Sequence, residues 1–279
     1  MNDTGFRRVN PTRPPAAYIG GKKMLAARLV ERIAAVPHSS YAEPFVGMGG
    51  VFLRRTSVPS VEIINDISGD VANLFRVLQR HYVAFMDMLR FQLTGRREFE
   101  RLLAQDPKTL TDLERAARFL YVQRLAYGGK VAGRNFGVST GLPGRFDVTK
   151  LGPLLADLSE RLAGVIIENL PYGEFLARYD VKGALFYCDP PYSGSEDDYG
   201  AGVFGPLDFD KLAAILGGLK GVFLLSINAT PEMRKVFARF DVEEVDVGYS
   251  IAGGEWKISR ELIVSTVGLP RETRAPTFL

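Results

Sequence analysis

The sequence predicts a doubly wound α/β fold, a mostly parallel sheet covered by helices on both faces and interrupted by a helical insertion. Three observations carry this expectation. Apolar runs of strand length alternate with segments of helical periodicity up to residue 81 and again after residue 162, the pattern of a parallel sheet buried between two helical layers. Two of those runs, Val61-Glu62-Ile63-Ile64-Asn65-Asp66 and Ala184-Leu185-Phe186-Tyr187-Cys188-Asp189, end in an acid. That is the carboxyl edge at which open α/β sheets place their ligands. Between Tyr82 and Leu162 the strand signal vanishes and helical patterns replace it. The expected organisation is therefore a sheet domain made of residues 1–81 and 163–279, with residues 82–162 inserted.

Taken in order, the first fifteen residues, with Pro11, Pro14 and Pro15, read as a loose arm. Tyr18-Ile19-Gly20-Gly21-Lys22-Lys23 follows, ahead of a helix marked by Met24, Leu25, Leu29, Val30 and Ile33. Gly20-Gly21-Lys22 is not a phosphate loop, because the first glycine is missing at the required distance and Lys23 stands where Ser or Thr would hold magnesium. Tyr41 to Leu53 reads as a short strand, a turn containing Gly47, Gly49 and Gly50, and a helix start. Such a turn lets the backbone approach a ligand closely, although the spacing is not the dinucleotide pattern. Val61 to Asp66 is the second strand, and Ser68-Gly69-Asp70 opens a helix running through Leu78. An acid there, beside a glycine-rich first turn, is placed to accept hydrogen bonds from ribose hydroxyls.

Helical patterns fill the insertion, followed by a long glycine-rich loop from Tyr127 to Phe146 and a further helix from Leu151 to Leu162. Loops of this length inside compact domains usually serve function. From Arg90 through Phe146 eleven Lys or Arg face five Asp or Glu, a balance of +6 within a chain whose net charge is +3. Cationic charge interleaved with aromatic residues suits a surface that meets phosphates; the plainer alternative is a solvated charged face. Strands then return at Val165–Asn169, Leu185–Cys188, Val222–Ser226, Val242–Val247 and Glu261–Thr266, with helices at Tyr172–Tyr179, Leu207–Leu219 and Pro231–Phe240.

The bulk composition excludes several classes. One cysteine, Cys188, rules out an internal disulfide and a cysteine-rich zinc site, and His38 and His81 have no partners at metal-ligand spacing, so no metal is expected. No run approaches about 18 apolar residues, and the polar start lacks a signal-peptide core. The expectation is a cytoplasmic protein with no membrane partner.

Asp189-Pro190-Pro191-Tyr192 is the unusual stretch. Two prolines lack N–H groups and fix φ, so they end a strand and leave nearby carbonyls to accept from something outside the sheet. A strand stopped by a stiff turn is the bland alternative. In this order and spacing, however, Tyr18-Ile19-Gly20-Gly21-Lys22, Glu43-Pro44-Phe45-Val46-Gly47-Met48-Gly49-Gly50, Asn65-Asp66, Asp189-Pro190-Pro191-Tyr192 and Arg260-Glu261-Leu262-Ile263-Val264 resemble the Dam-like, D12 class adenine-specific DNA methyltransferases. The resemblance spans roughly Tyr18 to Thr266.

What it implies is a Rossmann-like sheet binding S-adenosylmethionine, with a helical target-recognition insertion, acting on double-stranded DNA. Asp189, Pro190 and Tyr192 would be catalytic. Tyr18, Lys22, Glu43, Phe45, Gly47, Gly49, Asp66, Asn169 and Asp189 would line the cofactor, Lys22 being suited to its carboxylate. Arg124, Tyr127, Lys130 and Arg134 would meet DNA. The resemblance further implies a bacterial or phage enzyme, monomeric or weakly dimeric, for which a cognate restriction endonuclease is the partner to look for. Two departures stand out. Family members often carry an acid near the cofactor adenine where Asn169-Leu170-Pro171-Tyr172 offers none, which leaves Asn169 to make that bond. Beyond Lys130 the loop does not follow the family pattern, so base preference is not carried over. The rival readings are a cytosine N4-specific methyltransferase on the same tetrad, a non-catalytic DNA-binding relative, and an enzyme methylating RNA or a protein glutamine.

Overall fold

The computed structural model describes residues 5–22, 24–137, 141, 143–195, 202–250 and 256–269. In chain order its elements are β1 (Arg7–Arg8), α1 (Ala26–Ala35), β2 (Ser40–Glu43), β3 (Ser57–Val58), β4 (Val61–Asn65), α2 (Gly69–Arg80), α3 (Tyr82–Leu89), α4 (Arg96–Ala104), α5 (Asp112–Leu125) and α6 (Val148–Arg161). There follow β5 (Ile166–Glu168), α7 (Tyr172–Tyr179), β6 (Ala184–Cys188), α8 (Pro206–Gly217), β7 (Val222–Asn228), α9 (Pro231–Val236), β8 (Asp241–Ser250) and β9 (Trp256–Ser265).

The main sheet runs in the order β5-β4-β2-β6-β7-β9-β8. The strands β5, β4, β2, β6 and β7 are mutually parallel, while β9 and β8 run antiparallel at one edge. This is the mostly parallel, helix-covered sheet that the sequence predicts. Neighbours β2 and β6 pair as Ser40↔Ala184, Tyr41↔Leu185 and Ala42↔Phe186. From them the chain departs in opposite directions, β2 toward β4 and β6 toward β7. A crevice therefore opens beyond Glu43 and Cys188, where the strand order reverses.

Alternation along these strands divides the core. Tyr41, Leu185 and Tyr187 face one cluster with Leu29 and Ile33 of α1 and Leu74 and Phe75 of α2. Ala42, Phe186 and Cys188 face the other, with Phe175 of α7, Phe209 and Leu212 of α8 and Phe237. Side chains one apart point to opposite faces of a strand, so β6, buried at all five positions, serves both layers. Helices α3 to α6 replace the strand signal as expected, and Phe119, Val122, Leu155 and Leu158 from α5 and α6 join the same cluster as α1 and α2. The insertion is thus packed continuously onto one face of the sheet.

A buried ionic cluster ties the end of α6 to β4. Glu62 accepts from Arg55 Nη1 at 2.7 Å and from Arg161 Nη1 and Nη2 at 2.8 and 2.7 Å. Both guanidinium groups also lie over aromatic rings, Arg55 over Tyr41 at 3.5 Å and Arg161 over Phe52 at 4.0 Å.

Three local expectations are corrected. From Gly5 onward the amino-terminal arm is not loose: β1 pairs antiparallel with β3, Val9 N–H donates to the Thr56 carbonyl at 3.0 Å and Thr12 N–H to that of Leu53 at 2.8 Å. Backbone bonding to a short edge needs no apolar periodicity, so the residue pattern carries no sign of it. The expected helix after Gly50 is only a 3₁₀ turn at Phe52–Arg54, because β3 begins three residues later. Helix α9 stops at Val236, and Phe237 and Phe240 turn through local backbone bonds into β8.

Candidate active site

The turn after β2 enters the left-handed region at Gly47, φ +50°, and Gly49, φ +76°. A Cβ on Gly47 would stand 3.2 Å from the Tyr18 ring, and one on Gly49 would stand 2.8 Å from Leu53. Glycine is therefore required on both conformational and steric grounds. The Gly47 N–H donates to Asp66 Oδ2 at 2.8 Å, and the Ser68 N–H donates to Oδ1 at 2.9 Å. Asp66 thus locks the β2 turn to the start of α2, and each carboxylate oxygen retains a lone pair for a further donor. Burial pushes Asp66 up to about 6, against the pull of the two N–H donors.

Asn65 extends the lock. Its Nδ2 donates to the carbonyls of Pro44 and Leu170 at 2.9 and 3.0 Å, and its Oδ1 accepts from Leu170 N–H at 2.8 Å. Asn169 donates to the Asp66 and Ile67 carbonyls at 2.7 and 3.0 Å. Its amide hydrogens therefore join the turn after β5 to the turn after β4, while Leu170 and Pro171 form the adjacent cavity wall.

These turns surround a cavity of about 1090 Å³ that also reaches Tyr18, Lys22, Asp189 and Pro191. One end is aromatic. Phe45, Tyr172 and Phe204 line it with ring centroids 5.5 Å (Phe45–Tyr172), 6.0 Å (Phe45–Phe204) and 5.7 Å (Tyr172–Phe204) apart. A purine plane finds apolar stacking surface there and Asp66 nearby for a sugar. The residues fit an adenosyl cofactor. Glu43 is 2 % exposed, accepts from the Tyr41 hydroxyl at 2.5 Å, and is pushed up to about 8 by burial. It braces the end of β2 and is not part of the cavity lining.

Asp189 follows β6 directly and lines the same cavity. The Lys22 ammonium, 3 % exposed, lies 2.8 Å from Asp189 Oδ1, donates to the Tyr192 hydroxyl, and lies 3.6 Å from Glu261 Oε2. Lys22 therefore joins the catalytic candidates to one another. Burial pushes Asp189 up to about 6, opposed chiefly by Lys22 and assisted by Glu261. Ser226 on β7 lies 2.8 Å from the Tyr187 hydroxyl. Asn228, at the end of β7, accepts from the Ser193 N–H at 3.0 Å and donates to its carbonyl at 2.9 Å, clamping the backbone that follows Tyr192. Ser226 and Asn228 were not singled out from the sequence, and Glu261 stood there only within the Arg260–Val264 motif, with no role assigned. A charged residue inside the apolar run of β9 was the one available signal. The polar, glycine-containing run from Ser193 to Gly200 lies, beyond Ser195, outside the described residues.

The four DNA-facing candidates separate into two kinds. Arg124 donates through Nε and Nη2 to the Arg145 carbonyl at 3.0 and 2.8 Å, and through Nη1 to the Pro15 carbonyl. Arg134 donates to the Lys130 carbonyl at 3.2 Å and to Gln123 Oε1 at 3.0 Å. Both guanidinium groups are half-buried and bond to groups of the protein itself. Tyr127 and Lys130 are exposed. Gln123 Nε2 donates to the carbonyls of Ala17 and Gly129, and Ile19 N–H donates to Gly129, so the insertion is fastened directly to the Tyr18 segment.

The profile of the D12 class N6 adenine-specific DNA methyltransferases matches residues 18–251. The chain is 25% identical over 267 residues to the Type II methyltransferase M1.LlaDCHI of Lactococcus lactis subsp. cremoris, covering 88% of this chain and 91% of that protein. It is 26% identical over 260 residues to the retron Ec67 DNA adenine methylase of Escherichia coli, covering 88% of each. Over 157 residues it is 31% identical to the DNA adenine methylase of Salmonella typhi, covering 54% of this chain and 55% of that protein.

Proposed function

We propose, from the premise that this chain belongs to the D12 class N6 adenine-specific DNA methyltransferase family, that it methylates adenine N6 within one specific sequence of double-stranded DNA, with S-adenosylmethionine as donor. The observation that carries the reading is that one cavity is lined by Asp66, by the aromatic residues Phe45, Tyr172 and Phe204, and by Asp189 with Lys22. When bound, the cofactor supplies an electrophilic methyl group on a sulfonium centre. Asp66 would take its ribose hydroxyls, Phe45 and Tyr172 would pack against its purine, and the backbone from Gly47 to Gly49, with Tyr18 against it, would hold the remainder.

An adenine amino group is a weak nucleophile because its lone pair is delocalised into the ring. The Asp189 carboxylate and the Pro190 carbonyl would accept its two hydrogens, favouring a pyramidal nitrogen and stabilising the positive charge that develops on attack. Lys22 keeps Asp189 ionised and fixed. Proximity supplies much of the remaining acceleration, and the proton leaves after transfer. A paired base cannot reach Asp189, so the adenine must be flipped out at a cost of a few kcal/mol. Stacking on Tyr192 offsets about 1–3 kcal/mol of it.

Residues 82–162 act in this reading as the target-recognition insertion, with Tyr127 and Lys130 presented to DNA. The enzyme works in the cytoplasm; among the described residues no helix is long and apolar enough to cross a membrane. A restriction endonuclease reading the same sequence is the partner class to look for. Mapping modified bases in genomic DNA from cells expressing the protein tests the proposal. N6-methyladenine is expected at nearly every copy of one short motif; its absence, or its scatter without a motif, contradicts site-specific methylation.

A further inference from the structure

The cluster around Asp189 contains one charged group that the mechanism above does not use. Glu261 sits in β9 at 1 % exposure, directly opposite Asn228 in the β7–β9 register. Its Oε2 lies 3.6 Å from Lys22 Nζ, on an ammonium that is 2.8 Å from Asp189 Oδ1 and in contact with Tyr192. Lys22 itself comes from the turn before α1, an element that shares no backbone pairing with β6 or β9. A long, flexible side chain carrying a point charge has little intrinsic orientation. Buried at 3 % exposure, it must be held by its partners, since an ammonium removed from water requires compensation.

We propose that Glu261 is a positioning residue for the transfer reaction: its carboxylate anchors the Lys22 ammonium at the common edge of Asp189 and Tyr192, so the groups that bracket the target amino group are set in part from β9. The inference rests on the reading of Asp189 as the residue that receives the adenine amino group. Two anions flank one cation, which leaves the cluster net negative. That suits a site where positive charge appears on the substrate nitrogen. The geometry also accounts for the antiparallel edge of the sheet contributing to a site otherwise built on parallel strands: the parallel β7 supplies Asn228 to Ser193, and the antiparallel β9 supplies Glu261 to Lys22.

The test separates action through Lys22 from a direct effect on Asp189. Facing Asp189 are Lys22 from the turn before α1, Glu43 from β2, Tyr187 from β6, Ser226 from β7 and Glu261 from β9. Of these, Lys22 lowers the Asp189 pKa and Glu261 raises it, with Lys22 the larger influence. Losing the Glu261 charge alone would move the acid limb of kcat to lower pH. Releasing Lys22 would move it to higher pH. For Glu261→Gln, steady-state kinetics on purified protein with duplex DNA and S-adenosylmethionine should show kcat lower by ~10- to 100-fold, the scale of a small misplacement of reacting groups. The KM for the cofactor should hold, and the acid limb should shift upward. In a Lys22→Met background Glu261→Gln should add nothing further, the mark of two residues acting as one unit. Near-normal kcat, a downward or unmoved limb, or multiplicative losses in the double variant would overturn the proposal. If Glu261→Gln fails to fold, Glu261→Asp keeps the charge, withdraws it by one methylene, and is read in the same three ways. A wild-type protein that transfers no methyl group in this assay would remove the underlying reading; an active wild type with additive variants removes this inference alone.

Discussion

Replacing Asp189 with alanine is expected to lower kcat by ~10²–10³-fold or more while the affinity for S-adenosylmethionine stays close to that of the wild type. The magnitude is that of removing one preorganised group aimed at developing charge. The separation of the two effects is expected because the ribose and purine are assigned to Asp66, Phe45 and Tyr172 and not to Asp189, although all of them line one cavity. Direct pH dependence accompanies this. Asp189 must be ionised to accept the amino hydrogens, and burial pushes it up to about 6, so kcat should fall as pH drops through about 6. In Asp189→Asn that limb should disappear along with most of the activity. Kinetics over pH, with calorimetric binding of the cofactor, checks both parts. An alanine variant with near-normal kcat would refute the assignment.

The largest expected effect on stability lies elsewhere. Glu62→Ala should destabilise the fold by ~3–5 kcal/mol, the usual consequence of breaking a buried ion pair from one side. Arg55 and Arg161 each have a side chain only 2 % exposed, and Glu62 receives three guanidinium hydrogen bonds from them. Without it two buried cations stand together. Arg161 closes α6 and Arg55 follows the first glycine-rich turn, so the loss should also loosen the seating of the insertion on the sheet. Chemical denaturation monitored by circular dichroism measures the change. A loss below about 1 kcal/mol, the scale of an exposed pair, would show that the cluster does not hold the two units together.

How much was legible in the sequence depended on whether a residue declares its role through its own backbone. Gly47 and Gly49 mark a turn because only glycine fits there. Asp66 and Asp189 stand at the ends of apolar runs, and Pro190 and Pro191 end a strand by lacking N–H groups. These positions were recoverable without coordinates. Ser226 and Asn228 were not, because they meet Tyr187 and Ser193 only through the pairing of β7 beside β6, and the contact of Glu261 with Lys22 depends on β9 lying antiparallel beside β7. Charge did not reveal that Arg124 and Arg134 also satisfy carbonyls that loop backbone would otherwise leave without partners. The same physics hid the ordered amino-terminal arm, since Arg124 and Gln123 hold it by the carbonyls of Pro15 and Ala17.

Asn169, expected beside the cofactor adenine, has its amide hydrogens engaged by backbone. It stands at the carboxyl edge, as expected, yet both of its amide contacts run to the backbone of Asp66 and Ile67. Pro171 lines the neighbouring wall. The cofactor purine would therefore meet shape and aromatic surface at this end.

The most direct test of the central claim is chemical. Purified protein incubated with unmethylated duplex DNA and S-adenosylmethionine labelled in the methyl group, followed by digestion of the DNA to nucleosides and chromatographic separation, identifies the methylated atom. The account predicts that the label elutes with N6-methyldeoxyadenosine. Label in N4-methyldeoxycytidine without N6-methyldeoxyadenosine would contradict it.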